Sequence, residues 1–177
     1  TQVVDVLRRD LALTAHVLRV ANSPLYSPKT PLQSIQQACA RLGIRQIRDL
    51  ALLVSVQAGV YRVAGWDAEL RLWFRHAVVT GFFAQEIARE RRMNVEEAFL
   101  AGLVHDVGKP IVLAAASQHG AARATMLDVV QRLHAEVGQT LAKAWAFSPA
   151  IQGAIVGLHH AAPTETLVGL VQFADEL

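Results

Sequence analysis

The sequence predicts an all-α protein, arranged as a two-lobed helical bundle. Almost every segment repeats its apolar residues with the 3.6-residue period of a helix, and no stretch shows the sustained alternation typical of a strand. Of the 177 residues, 53% are hydrophobic, and much of this fraction is alanine, leucine and valine. Because a chain of this length can bury one real core, we expect a single domain over residues 1–177. Its N-terminal lobe should span about residues 1–65 and its second lobe about residues 66–177.

Composition argues against several classes of protein. The longest apolar run, Phe99 to Ala116, is interrupted by three polar side chains and so does not reach the roughly 18 residues of a membrane span. A single cysteine, Cys39, excludes an intrachain disulfide and favours a cytoplasmic location. With 17 basic and 15 acidic residues, the net charge of +2 is too balanced to indicate a nucleic-acid-binding protein. Neither end shows a cap, so we expect a domain excised from a longer protein.

Four segments of the N-terminal lobe have clear signals. Val3–Val20 has the period of one or two helices, and a loop rich in proline and turn formers follows over Asn22–Pro28. Ser34 can cap a short helix that runs to about Arg41, and Gly43 can end that helix. A further helix is expected over Arg45–Tyr61.

The second lobe repeats the helical period with more regularity. Trp73, Trp145 and the phenylalanines are expected in its core. A serine followed by proline, Ser148-Pro149, is a strong helix start. The predicted helices are Asp67–Glu90, Asn94–Asp106, Ile111–Ala116, Arg123–Ala146, one from Pro149 that ends before Pro163, and a last one from Leu167 to about Asp175.

The stretch from Ala98 to Lys109 ends an apolar helical run in an adjacent His-Asp pair. His105 continues the apolar face of its helix, so we expect it to be buried. Gly108 is expected to leave the helix in a left-handed conformation, and Pro110 to prevent its continuation.

A set of histidines and aspartates follows the helices of the second lobe. Consecutive helices of a compact bundle could bring their side chains to one point. Imidazole nitrogens and carboxylate oxygens suit divalent Fe, Mn, Zn or Ni, and a set this large would suit two ions that activate a water and clamp a phosphate. The members, in chain order, are His76, His105, Asp106, His134, His159, His160 and Asp175.

The alternative is that each histidine is a hydrogen-bonded core or surface residue and that no metal is bound. Single histidines usually belong to that class, and we assign His16 and His119 to it. Half-buried ionisable groups need partners, however, and the nearest partners of these seven are each other. The set as a whole therefore favours a metal site.

Four stretches together resemble the HDOD domain, the HD-related output domain of bacterial signalling proteins. They are Ala21-Asn-Ser-Pro-Leu-Tyr26, Leu42-Gly43, Leu72-Trp-Phe-Arg-His76 and Ala98 to Lys109. The resemblance implies an all-α fold with an N-terminal helical lobe and a degenerate HD-type lobe. It also implies cytoplasmic signalling beside sensory or output domains, with no demonstrated activity in most members.

The HD-GYP phosphodiesterases, which hydrolyse cyclic di-GMP, are the nearest catalytic relatives in pattern. By that resemblance the seven histidines and aspartates match metal ligands, and Lys109 matches the lysine that meets the substrate phosphate. The chain departs from this pattern after His160, where it has no Gly-Tyr-Pro motif and a shorter approach to Asp175. The resemblance therefore implies a metal site whose nucleotide loop is missing or remodelled.

Three functions remain open. The first is a non-enzymatic signalling module that contacts other signalling proteins or domains of its own chain through the Asn22–Pro28 loop and the Arg41–Arg48 face, and whose metal set is vestigial. The second is a metal-dependent phosphohydrolase or cyclic dinucleotide phosphodiesterase, in which Asp106 bridges the metals and Lys109 stabilises charge in the transition state. The third is a sensor that binds a metal or nucleotide without cutting. A homodimer is compatible with each, and no membrane or nucleic-acid partner is expected.

Overall fold

A computed structural model describes residues 11–23, 30–157 and 166–176 of the protein. Over these ranges the chain forms nine helices and no strand, which confirms the predicted all-α class. The chain divides into two compact units, Thr1–Gly59 and Val60–Leu177, where the sequence had suggested a division near residue 65.

The first unit contains helices α1 (Leu11–Ala21), α2 (Ile35–Leu42) and α3 (Ile44–Val60). The predicted boundaries of α2 are confirmed, because the Ser34 hydroxyl accepts a hydrogen bond from the Gln37 amide at 3.2 Å. Gly43 ends the helix with a φ of 85°, a conformation that favours glycine.

The side chain of Asn22 ties the end of α1 to the chain that precedes α2. Its amide nitrogen donates to the carbonyl oxygen of Leu32 at 2.9 Å, and its side-chain oxygen accepts from the Leu32 amide at 2.7 Å. Asn22 is therefore a structural residue. Residues 24–28 of the expected loop lie outside the described part of the chain.

The second unit contains the remaining helices. The boundaries predicted for its longest helix are confirmed, and the Asn94 side chain caps the next helix by accepting from the amides of Glu96 and Glu97 at 3.2 Å each. The helices are α4 (Asp67–Glu90), α5 (Val95–Val104), α6 (Gly108–Ser117), α7 (Arg123–Ala144), α8 (Pro149–Gly157) and α9 (Leu167–Asp175).

Two close helix contacts of this unit depend on glycine. Where α4 meets α5, a Cβ atom added to Gly102 would lie 2.7 Å from the Cα atom of Gly81. Where α6 meets α7, a Cβ atom added to Gly108 would lie 1.9 Å from the backbone oxygen of His134. No other residue allows the backbones to approach so closely, and these two contacts set the positions of the histidines on α4 and α7.

The expectation for Gly108 was wrong. Gly108 is the buried first residue of α6, and the glycines with positive φ in the described ranges are Gly43, Gly65 and Gly120. Pro110 lies in the first turn of α6, where its missing N–H removes no helical hydrogen bond. The chain therefore passes from α5 to α6 through a turn of three residues.

This short turn makes Val95–Ser117 a nearly continuous apolar stretch of 23 residues. By length and composition alone the stretch could cross a membrane, but 72% of its most apolar window is buried inside the structure. Phe99 and Leu103 in it are fully buried. Burial in the core of the second unit therefore accounts for its apolar character.

Three aromatic residues expected in the core are exposed instead. Trp145 is 43% exposed, Phe83 44% and Phe173 48%. Trp145 directly follows the last residue of α7, so it no longer follows the buried face of that helix, and its ring packs edge-on against Phe147 with centroids 5.5 Å apart.

Candidate metal centre

Five of the seven predicted metal ligands come together in the second unit. His76 lies on α4, His134 on α7 and Asp175 at the end of α9, whereas His105 and Asp106 form the turn between α5 and α6. The other two predicted ligands, His159 and His160, lie outside the described residues.

Asp175 joins two of these histidines. Its Oδ1 atom lies 2.6 Å from Nε2 of His76 and 3.1 Å from Nε2 of His105. The two imidazole rings meet edge to face, with centroids 5.2 Å apart. One ligand atom from each of the three residues lies within 4.8 Å of the others, so a single ion could contact all three.

Asp106 extends the cluster on the other side of His105. Its Oδ2 atom lies 3.3 Å from Nε2 of His105 and accepts a hydrogen bond from the ammonium group of Lys109. Its Oδ1 atom lies 3.8 Å from Nε2 of His134. Asp106 therefore has one oxygen toward each of the two buried histidines.

The five residues differ in their exposure to solvent. We call His105, Asp106 and His134 the inner group, because they are 2%, 4% and 5% exposed. We call His76 and Asp175 the outer pair, because their side chains are 39% and 34% exposed.

The backbone sets which nitrogen each inner histidine offers. The Nδ1 atom of His105 lies 2.7 Å from the carbonyl oxygen of Gly102, and Nδ1 of His134 lies 3.0 Å from that of Val130. A carbonyl oxygen only accepts, so Nδ1 donates its proton in both rings, and Nε2 is the nitrogen that could bind a metal. Histidines that bind metals usually donate the other ring N–H in this way.

The surroundings of the His105 Nε2 atom test whether a cation fits. The atom is buried and has no hydrogen-bond partner among the described residues, although oxygens of Asp106 and Asp175 lie 3.3 and 3.1 Å from it. A lone pair directed at two carboxylates is unfavourable unless a proton or a metal ion lies between them. The donor set of imidazole and carboxylate suits a divalent transition ion, so the residues fit a metal.

The charges of the cluster also favour a positive group between the two carboxylates. Burial lowers the pKa of His105, but its contacts with Asp106 and Asp175 outweigh burial and raise it to about 9. Burial raises the pKa of Asp106, but His105 and Lys109 hold it well below its usual range. Against the same effect of burial, His105 and His76 hold the pKa of Asp175 far below its usual range. Both carboxylates are therefore anionic at neutral pH, and they hold either a proton on His105 or a cation.

Tyr61 is a residue of this region that the sequence did not indicate. Its hydroxyl is buried and has no hydrogen-bond partner within the described ranges. Burial raises the pKa of Tyr61, and the negative charge of Asp106 raises it further. The sequence shows Tyr61 only as the end of a helical pattern, which carries no signal of a site.

The profile of the HDOD domain family matches residues 1–162 of the chain. Ribonuclease Y of Geotalea uraniireducens (strain Rf4) is 34% identical over 105 residues, which are 59% of this chain and 17% of that protein. The chain spans 37% or less of the length of the curated relatives that it matches.

Two crystal structures have the same fold and 29% sequence identity to the chain. One is an HDOD domain protein of unknown function from Geobacter sulfurreducens, with a TM-score of 0.69 over 99% of this chain and 64% of that chain. The other is a protein of Shewanella amazonensis SB2B, named a phosphohydrolase candidate, with a TM-score of 0.71 over 98% of this chain and 66% of that chain.

Proposed function

Because the chain belongs to the HDOD domain family, we propose that it is a cytoplasmic signal-transduction output module whose second unit binds a divalent transition metal. The observation that carries the metal half of the proposal is the buried Nε2 atom of His105. Oxygens of Asp106 and Asp175 lie 3.3 and 3.1 Å from it, and two carboxylates around one buried nitrogen call for a positive charge there, either a proton or a divalent ion.

Four residues would hold the ion. The ligand atoms of His76, His105 and Asp175 are close enough for one ion, and Asp106 supplies a further oxygen beside His105. When bound, a divalent ion would supply positive charge that can hold and polarise an anionic ligand. The backbone carbonyl of Gly102 orients His105, and the burial of the inner group limits the access of water to its ligand atoms.

The signalling half of the proposal concerns contacts of the first unit with other signalling proteins or with domains of its own chain. Arg41 and Arg45 are both exposed at the junction of α2 and α3. Between them Ile44 is 39% exposed, so an apolar side chain lies beside two positive charges. Such a surface suits a partner with an acidic rim around an apolar centre.

A second candidate function is a metal-dependent phosphohydrolase or phosphodiesterase. Lys109 favours it, because its ammonium group contacts Asp106 and its side chain is 18% exposed. Lys109 would offset negative charge on a phosphate in the transition state. The similarity to ribonuclease Y and to a phosphohydrolase candidate supports the same chemistry.

Elemental analysis tests the metal half of the proposal. We expect about one or two equivalents of Fe, Mn, Zn or Ni per chain in the wild type. The double variant His105→Ala, Asp106→Ala should lose them, whereas His119→Ala, which changes an exposed histidine, should keep them. If the wild type stayed free of metal after reconstitution, the metal half of the proposal would be wrong.

A turnover assay then separates the two candidate functions. The metal-loaded protein is given cyclic dinucleotides, nucleotides, RNA and generic phosphodiesters. We expect all of them to remain intact, as in a module that acts by contact. Steady hydrolysis that His105→Ala abolishes would show that the protein is an enzyme, and the proposal of a non-enzymatic signalling module would be wrong.

A further inference from the structure

Helix α4 carries large apolar side chains on the side that faces solvent. Leu72 is 59% exposed, and Val79 and Phe83 are 43% and 44% exposed. Their spacing places all three on one face of the helix, which we call the outer face. A helix at the surface of a monomer normally has charged and polar residues on that side. Three large apolar side chains along one exposed face therefore indicate a surface that meets a partner.

The buried face of α4 shows why these side chains are not needed inside the second unit. Apart from Leu70, its buried residues are small, and α4 approaches α5 so closely that Gly81 meets Gly102. Large side chains would not fit into that contact. Helix α9, which packs against α4, adds a further exposed aromatic residue, Phe173. The packing of the second unit therefore leaves the outer face uncovered.

Two charged residues are placed symmetrically on the outer face. Arg75 precedes Val79, Glu86 follows Phe83, and both charged residues are exposed. The point midway between Arg75 and Glu86 falls between the two apolar residues. Glu86 contacts Arg89 of the same helix, but both side chains are largely exposed, so this pair contributes little. A face with a positive residue before its apolar centre and a negative residue after it is complementary to its own copy in the antiparallel direction.

We propose that the outer face of α4 is a homodimer interface, in which the α4 helices of two copies pack antiparallel around a two-fold axis. With the axis midway between Arg75 and Glu86, Arg75 of each copy meets Glu86 of the other, and Val79 packs against Phe83 of the other copy. This symmetry selects a second copy as the partner, because an unrelated protein would not require it. The inference is independent of the proposed metal site.

A charge at the centre of the outer face tests the interface. Sedimentation equilibrium should show that the wild type dimerises with a dissociation constant below about 100 μM. Phe83→Glu should weaken the dimer at least about tenfold, because a carboxylate without a partner would be buried between the copies. Leu133→Glu, at an exposed leucine of α7, is the matched control and should leave the dimer unchanged. Circular dichroism should show the same helix content in both variants, since each replaced side chain is exposed.

Charge reversal tests the antiparallel arrangement. Arg75→Glu leaves two negative residues on each copy and Glu86→Arg leaves two positive ones, so each variant alone should dimerise at least about tenfold more weakly. In an equimolar mixture, with one variant labelled, opposite charges meet at both ends, and a heterodimer should form with about the wild-type affinity. The two positions lie about three turns apart on one helix, so such a rescue requires contact between chains.

Three results would overturn the proposal. The first is a wild type that stays monomeric at about 100 μM, which would assign the outer face to a different protein. The second is a dimer that Phe83→Glu leaves intact, because another surface would then hold the copies together. The third is a mixture of the two charge variants that dimerises no better than either variant alone, since the helices would then not be antiparallel around this axis.

Discussion

The inner group and the outer pair of the metal centre are held in different ways. His105 and His134 are buried, and each is hydrogen-bonded to a carbonyl oxygen of its own helix. His76 and Asp175 are partly exposed and contact each other although they lie 99 residues apart in the chain. The inner group therefore belongs to the folded core, whereas the outer pair is positioned by the docking of α9 against α4 and by its contacts with His105. We expect substitutions in the inner group to affect folding as well as binding, and substitutions in the outer pair to affect binding alone.

The largest effect is expected from Gly108→Ala, which acts on the backbone beneath the inner group. The added Cβ atom would lie 1.9 Å from the backbone oxygen of His134, and neither backbone can move without separating α6 from α7. We expect a loss of about 3 kcal/mol in the free energy of unfolding, measured with urea.

Gly153→Ala in α8 is the matched control for this substitution. There the nearest atom to the new Cβ is 3.7 Å away, an ordinary contact. Alanine should stabilise that helix by about 0.5 kcal/mol. Equal stability of the two variants would show that α6 and α7 can separate at little cost.

The variants Asp106→Asn and Asp175→Asn compare the inner group with the outer pair directly. Both variants should bind metal at least about tenfold more weakly, because each loses a negative ligand. Asp106→Asn should also cost about 3 kcal/mol of stability without metal, since it leaves Lys109 and His105 without their buried carboxylate. Asp175→Asn, at a side chain that is 34% exposed, should change stability much less. Urea unfolding of both metal-free variants measures the contrast, and equal losses would contradict it.

The pH dependence of metal binding reports on His105. Its pKa of about 9 means that at pH 7 a proton must leave Nε2 before an ion can use the lone pair. Metal affinity should therefore increase as pH rises toward 9, with about one proton released per ion at pH 7. Calorimetry in buffers of different ionisation enthalpy counts the protons. Binding without proton release would show that His105 is neutral.

The same pKa predicts how the stability of the metal-free protein depends on pH. The pKa of His105 is raised in the folded state above the unfolded value of about 6.5. Its contribution is therefore fully present below about pH 6.5 and is lost as pH rises through 9. Thermal midpoints between pH 6 and 10 measure this loss, and His105→Gln should abolish it.

The smallest effect on the fold is expected from His76→Gln. The side chain is 39% exposed, so the free energy of unfolding should change by no more than about 0.5 kcal/mol. Metal binding should weaken by about tenfold, because one of three close ligands is lost. Arg75→Gln, at the exposed neighbouring position, is the control and should change neither quantity.

The helices could be predicted well where a local signal marks their ends. Ser34 and Asn94 accept backbone hydrogen bonds as N-caps, and Gly43 has the positive φ expected of a helix end. Gly108 shows the limit of such signals. A glycine can be required because its φ is positive or because a Cβ atom would not fit. At Gly108 the second reason applies, and it becomes visible only when the backbone of His134, on another helix, is seen to lie against it.

The candidate site could be predicted in composition but not in arrangement. The order of histidines and aspartates indicated a metal site, and five of the seven residues come together. Which of them are buried depends on the approach of α4 to α5 at Gly81 and Gly102, which no local pattern encodes. Tyr61 carries no signal in the sequence, and only the fold shows that its hydroxyl is buried.

The backbone anchors of the inner group have an evolutionary consequence. A lineage that stopped using the metal could lose His76 and Asp175 by drift, since neither is buried in the core. His105 and Asp106 would persist longer, because a single substitution of either buried residue destabilises the protein. An adjacent His-Asp pair in a descendant sequence would therefore report on inherited folding constraints. The His76–Asp175 couple, 99 residues apart, would be the better record of selection for bound metal.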